Sequence, residues 1–88
     1  MTEFSGKGKV AVIKTTPETV LDDIRQVMVK AGVEQALPKN NTTGLKINIS
    51  WQTWYPACST TPWQLEGVIL ALKSLGYADL VGFHNDTV

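Results

Sequence analysis

Residues 44–63 read Gly44-Leu-Lys-Ile-Asn-Ile-Ser-Trp-Gln-Thr-Trp-Tyr-Pro-Ala-Cys-Ser-Thr-Thr-Pro-Trp63. Leu45, Ile47 and Ile49 alternate with Lys46 and Asn48, which is the period of a half-buried strand. The aliphatic residues then share one face, and Lys46 and Asn48 share the other. A segment dense in Trp, Tyr, Ser and Thr follows. It ends at Thr61-Pro62, which has the chemistry of a helix start: Thr61 as cap, Pro62 in the first helical position and Gln64 closing a Thr-x-x-Gln capping box. A polar strand face, an aromatic loop and a helix N-terminus follow in direct succession, and the candidate site is expected there.

Working outward from this stretch, the pattern predicts two further strands and one further helix. Lys9–Lys14 encloses the continuous apolar run Val10-Ala11-Val12-Ile13, which suits a strand buried on both faces. Thr15-Thr16-Pro17 stops it. Thr16 is the expected N-cap and Pro17 the expected first residue of a helix carrying Glu18, Asp22 and Asp23 near its start. Val20, Leu21, Ile24, Val27, Met28 and Ala31 form its apolar stripe, and Gly32 is its expected stop. Residues 33–43, with Pro38 and the run Asn40-Asn41-Thr42-Thr43, read as a surface connection. The second helix is expected from Pro62 to about Leu75, with Leu65, Val68, Ile69, Leu72 and Leu75 on one face and Gly76 as its end. Leu80–His84 is the last strand.

The resulting order, β-α-β-α-β, predicts a small three-stranded parallel α/β sheet with two helices, a Rossmann-like half. Strand order 2-1-3 is expected, because it places the fully apolar first strand at the centre, and it sends the two helices to opposite faces. Thr-Thr-Pro occurs at both 15–17 and 60–62. Convergence on good helix-start chemistry is the preferred account, with duplication of a strand–helix unit as the alternative.

Size bounds these readings. Eighty-eight residues make one domain, and a chain of 9.6 kDa buries roughly 60% of its unfolded surface, which is marginal for independent stability. Three strands and two helices leave apolar surface uncovered, so a second copy or a missing C-terminal domain is the expected partner. The eight basic and eight acidic residues are scattered, and no basic patch marks a nucleic-acid binder. The chain shows neither the apolar core of a signal peptide nor an apolar run of membrane-spanning length. Cys58 is the lone cysteine. A cytoplasmic location is the expectation.

Lys46-Ile47-Asn48, a loop, Thr60-Thr61-Pro62, an apolar helix, Leu75-Gly76-Tyr77 and a strand ending near His84 resemble the N-terminal part of domain-of-unknown-function family 362. The resemblance covers about residues 9–88 by pattern. It departs at Ile47, where the family pattern usually has Pro. It implies that this chain is the N-terminal portion of a larger fold. It also implies that the four-iron clusters of some longer relatives lie elsewhere, with no cofactor held by this chain. It carries no settled reaction.

Parallel sheets place ligands beyond the carboxyl ends of their strands. That edge would gather Lys14-Thr15-Thr16, Asn48 through Thr61, His84-Asn85-Asp86 and both helix N-termini. Helix N-termini attract anions. The ligand-binding candidates are therefore Lys46, Asn48, Ser59, Thr60 and Thr61, with Trp51 and Trp54 able to stack on a flat ligand. The plainer alternative is that the hydroxyls cap helices, the lysines are solvated, and Trp51, Trp54, Tyr55 and Trp63 fold the loop onto the sheet. Cys58, His84 and Asp86 make a weak metal or nucleophile–base set; a buried thiol and an ordinary loop histidine are the commoner reading. Two functions follow: an anion- or ligand-binding edge of a larger, iron–sulfur-associated protein, or an interaction module that oligomerises through an uncovered sheet face and the Trp-rich loop.

Overall fold

The computed structural model describes residues 6–49 and 59–84. The elements in chain order are α1 (Val20–Ala31), α2 (Val33–Ala36), β1 (Thr43–Lys46), α3 (Pro62–Ser74) and β2 (Leu80–Phe83). β1 and β2 pair in parallel, in the register Thr43↔Leu80, Gly44↔Val81, Leu45↔Gly82 and Lys46↔Phe83. With α3 between them they form one βαβ unit. The fold is therefore a small α/β one, as expected, but among the described residues the sheet has two strands instead of three and there are three helices instead of two.

The expected first strand does not form. Val10 and Val12 are 86% and 80% exposed, and among the described residues no backbone hydrogen bond ties Val10–Lys14 to either strand. An apolar run shows that a segment can lie in a sheet; it does not supply the neighbour whose N–H and C=O groups would hold it there. Strand order 2-1-3 fails with it, because Thr43–Lys46 and Leu80–Phe83 are direct neighbours. The helices do not divide between opposite faces either: α1 packs directly on α3, with Ile24 against Gly67.

The helix ends follow local chemistry. Residues 17–19 form a turn closed by the Thr19 N–H bonded to the Thr16 carbonyl at 3.2 Å, and α1 starts at Val20 instead of Pro17. Gly32 ends α1 as expected. Its φ of 89° is left-handed, a conformation that costs a side-chain-bearing residue far more than glycine. The same residue opens α2, which replaces part of the expected surface connection: the N–H groups of Gln35 and Ala36 both reach the Gly32 carbonyl at 3.1 Å.

β1 keeps only the start of the expected alternation: the strand ends at Lys46, and Ile49, expected on the buried face, is 46% exposed. Thr43 is buried and Leu45 half-buried, while Gly44 and Lys46 are exposed. In α3 the buried residues are Gly67, Ala71 and Leu72. Two of these three are small, which lets α1 approach closely. Tyr77, just beyond α3, is 1% exposed, and its hydroxyl donates to the Leu37 carbonyl at 2.8 Å, tying the chain after α2 to the core. No helix among the described residues is long and apolar enough to cross a membrane.

Candidate functional site

β1 delivers Asn48 to the carboxyl end of the sheet, and the chain returns at Ser59 to start α3. Two hydrogen bonds fasten these ends together. The Asn48 N–H donates to the Thr60 Oγ1 at 2.9 Å, and the Thr60 N–H donates to the Asn48 carbonyl at 2.8 Å. The Ile47 N–H, one residue earlier, bonds to the Phe83 carbonyl at 2.7 Å and extends the ladder. The end of β1, the end of β2 and the start of α3 are thereby held in one place.

The Thr60 hydroxyl accepts from Asn48, which leaves its own proton for another acceptor. Thr61 has extended backbone angles suited to an N-cap, yet its side chain makes no cap bond. The expected capping box does not form, because the Gln64 N–H that it requires bonds instead to the Thr61 carbonyl at 3.1 Å. The Trp63 N–H, in the first turn of α3, has no acceptor among the described residues, as is usual at a helix start. The first turn of α3 contains no acidic residue.

The start of α1 is electrostatically different. The hydroxyls of Thr15 and Thr19 donate to the Asp23 Oδ2 at 2.7 and 2.6 Å, and Thr16 and Thr19 share a bond of 2.9 Å. A carboxylate thus already occupies the donors that an anion would use. Asp22 adds a second charge. Hydrogen bonds from Arg25, at 2.8 Å, and from Gln26, at 2.6 Å, hold its carboxyl below the ordinary value of 3.8. The two Thr-Thr-Pro segments are alike in sequence but differ in the charge beside them: Asp22 and Asp23 stand in the first turn of α1, and no acidic residue stands in the first turn of α3.

An open groove of about 410 Å³ joins the two helix starts, lined by Thr15, Thr16, Pro17, Val20 and Trp63. Its walls are mainly apolar, and the Trp63 residue is 47% exposed. Sequence reading brought Thr15 and Thr16 to this end of the molecule, and they lie there although the strand expected before them is absent. Pro17 and Val20 as groove walls had no signal in the sequence beyond their place at the start of the expected helix.

The remaining candidates separate. Ser59 and Thr61 are half-buried beside Thr60. Lys46 is exposed on the outward face, its Nζ donating to the Ile47 carbonyl at 3.3 Å. His84 directly follows β2 and is exposed. Trp51, Trp54, Cys58 and Asp86 lie outside the described residues. Among the described residues, no three His, Cys, Asp or Glu side chains cluster as metal ligands.

No protein-family model, curated protein or solved structure matches the chain. The functional reading therefore rests on the residues and their geometry.

Proposed function

We propose that the chain contributes an anion-binding edge to a larger, iron–sulfur-associated protein of the cytoplasm, in keeping with its resemblance to the N-terminal part of domain-of-unknown-function family 362. The observation that carries the proposal is the pair of hydrogen bonds between Asn48 and Thr60, which fixes the start of α3 at the carboxyl end of the sheet. An anion there would meet the hydroxyls of Thr60 and Thr61, the Trp63 N–H and the positive end of a helix thirteen residues long. Nothing in that first turn repels it. Any cluster would belong to another part of the assembly, since the sequence has a single cysteine, Cys58, and a four-thiolate cluster needs more.

Titration of inorganic phosphate into the isotopically labelled chain tests this reading. Amide shifts should concentrate at Thr60, Thr61 and Trp63, remain small at Val20–Asp23, and weaken in Thr61→Val. Shifts spread evenly over exposed lysines, or centred on α1, would overturn it.

A second reading is favoured by the outward sheet face, where Val81 and Phe83 are each 49% exposed. On that reading the chain is an interaction module, and the face should lose solvent accessibility when a partner binds.

A further inference from the structure

The chain carries both an unpaired strand-forming segment and an unpaired strand edge. Val10-Ala11-Val12-Ile13 is apolar and rich in β-branched residues, and its backbone N–H and C=O groups have no backbone partner among the described residues. Exposed apolar backbone in this condition is a ready template for pairing with another chain. Among the described residues each strand of the two-stranded sheet has an outer edge, and that of β2 is the relevant one. Bonds from the Thr43 N–H to the Asp79 carbonyl and from the Ile47 N–H to the Phe83 carbonyl show which β2 residues face β1. By the alternation of a parallel ladder, Leu80 and Gly82 present their backbone groups to the opposite side.

We infer that two copies of this chain associate by reciprocal strand addition, the Val10–Ile13 run of each pairing along the outer edge of β2 in the other. Charge selects this occupant and this edge. The run is bracketed by Lys9 and Lys14, and β2 is preceded by Asp79. Parallel pairing brings Lys9 to Asp79; antiparallel pairing brings Lys14 there. The Asp79 Oδ2 accepts from Thr42 at 2.5 Å, and its other oxygen is left for the lysine. The competing arrangements put like charges together. Two runs paired antiparallel with each other would set Lys9 against Lys14, and the outer edge of β1 carries Lys46. Exchange between two copies closes on itself, so it yields a dimer and no open chain. This inference goes beyond the anion-binding reading and stands independently of it.

The test is sedimentation equilibrium of the full chain from micromolar to millimolar concentration, with two variants. Wild type should reach a dimer. Ala11→Pro removes a ladder donor in either register, one from each copy and so two per dimer, and should weaken dimerisation up to about a hundredfold, the scale of two lost hydrogen bonds, with far-ultraviolet dichroism unchanged. Asp79→Asn keeps an acceptor for Thr42, removes the charge, and should weaken the dimer in low salt while the difference shrinks in high salt. A wild type that stays monomeric throughout overturns the proposal. So does a dimer indifferent to either variant, or a monomer in which the amides of residues 10–13 are already protected from exchange.

Discussion

Cδ1 of Ile24 lies 2.5 Å from the point where a β-carbon on Gly67 would stand, and the Ile24 Cβ lies 3.1 Å from it. The α1–α3 contact is built around this absent methyl group. Glycine inside a helix ordinarily costs about 0.5–1 kcal/mol relative to alanine, so Gly67→Ala on an open surface would stabilise. Here overpacking, typically about 1–3 kcal/mol, opposes that gain. Gly67→Ala should lower stability by about 1 kcal/mol, and Ile24→Ala in the same chain should relieve part of the loss. Thermal melts of the two single variants and the double variant measure it. A higher melting temperature for Gly67→Ala alone would mean that α1 does not seat on α3 at this point.

Tyr77 is buried to 1% exposure, with its hydroxyl on the Leu37 carbonyl. Tyr77→Phe keeps the ring and removes the donor. The expected cost is about 1 kcal/mol, and faster exchange should be confined to the backbone around Leu37. Urea denaturation with amide exchange distinguishes this local loosening from a general loss of stability.

Asp22 gives a signed pH dependence. Its folded pKa is depressed, first by the Arg25 hydrogen bond and then by Gln26. Its contribution to stability is therefore present above the unfolded value and is lost as pH falls through the folded one. The window lies at and below the ordinary value of 3.8. The side chain is exposed, so the effect on stability should be slight. A carboxyl titration followed by NMR should place the midpoint below 3.8, rising toward that value in Arg25→Met.

How far the sequence reaches depends on the range of the interactions that decide each element. The bounds of α3 were legible because Thr61-Pro62 and Gly76 act on their own neighbours. The Gly32 stop and the start of the alternation in β1 were legible for the same reason. The start of α1 falls at Val20, past the expected Pro17, after a turn closed by the Thr19 N–H on the Thr16 carbonyl, which residue types alone did not announce. The Val10–Ile13 run was misplaced because pairing is decided by a distant neighbour. At the candidate site, residue types drew attention to Asn48 and Thr60. The bonds that join them start from the Asn48 backbone, which every residue type shares, so the side-chain pattern could not announce them. The contrast between the two helix starts was visible in Asp22 and Asp23, but only geometry shows Asp23 accepting from the hydroxyls of Thr15 and Thr19.

The Asn48–Thr60 connection gives the most direct test of the site's construction. Thr60→Val preserves shape and the Thr60 N–H bond to the Asn48 carbonyl, and removes only the oxygen that accepts from the Asn48 N–H at 2.9 Å. Thr60→Ser retains that oxygen. One neutral hydrogen bond contributes about 0.5–1.5 kcal/mol. Thr60→Val should therefore speed exchange of the Asn48 amide by up to about tenfold, and Thr60→Ser should leave it near wild type. Lys46→Met, on the exposed face, should change stability by less than about 0.5 kcal/mol. Amide exchange at Asn48, followed in all three variants, is the measurement. Equal rates in Thr60→Val and Thr60→Ser would show that the hydroxyl does not hold the end of β1 to the start of α3, and the anion-binding edge would lose its anchor.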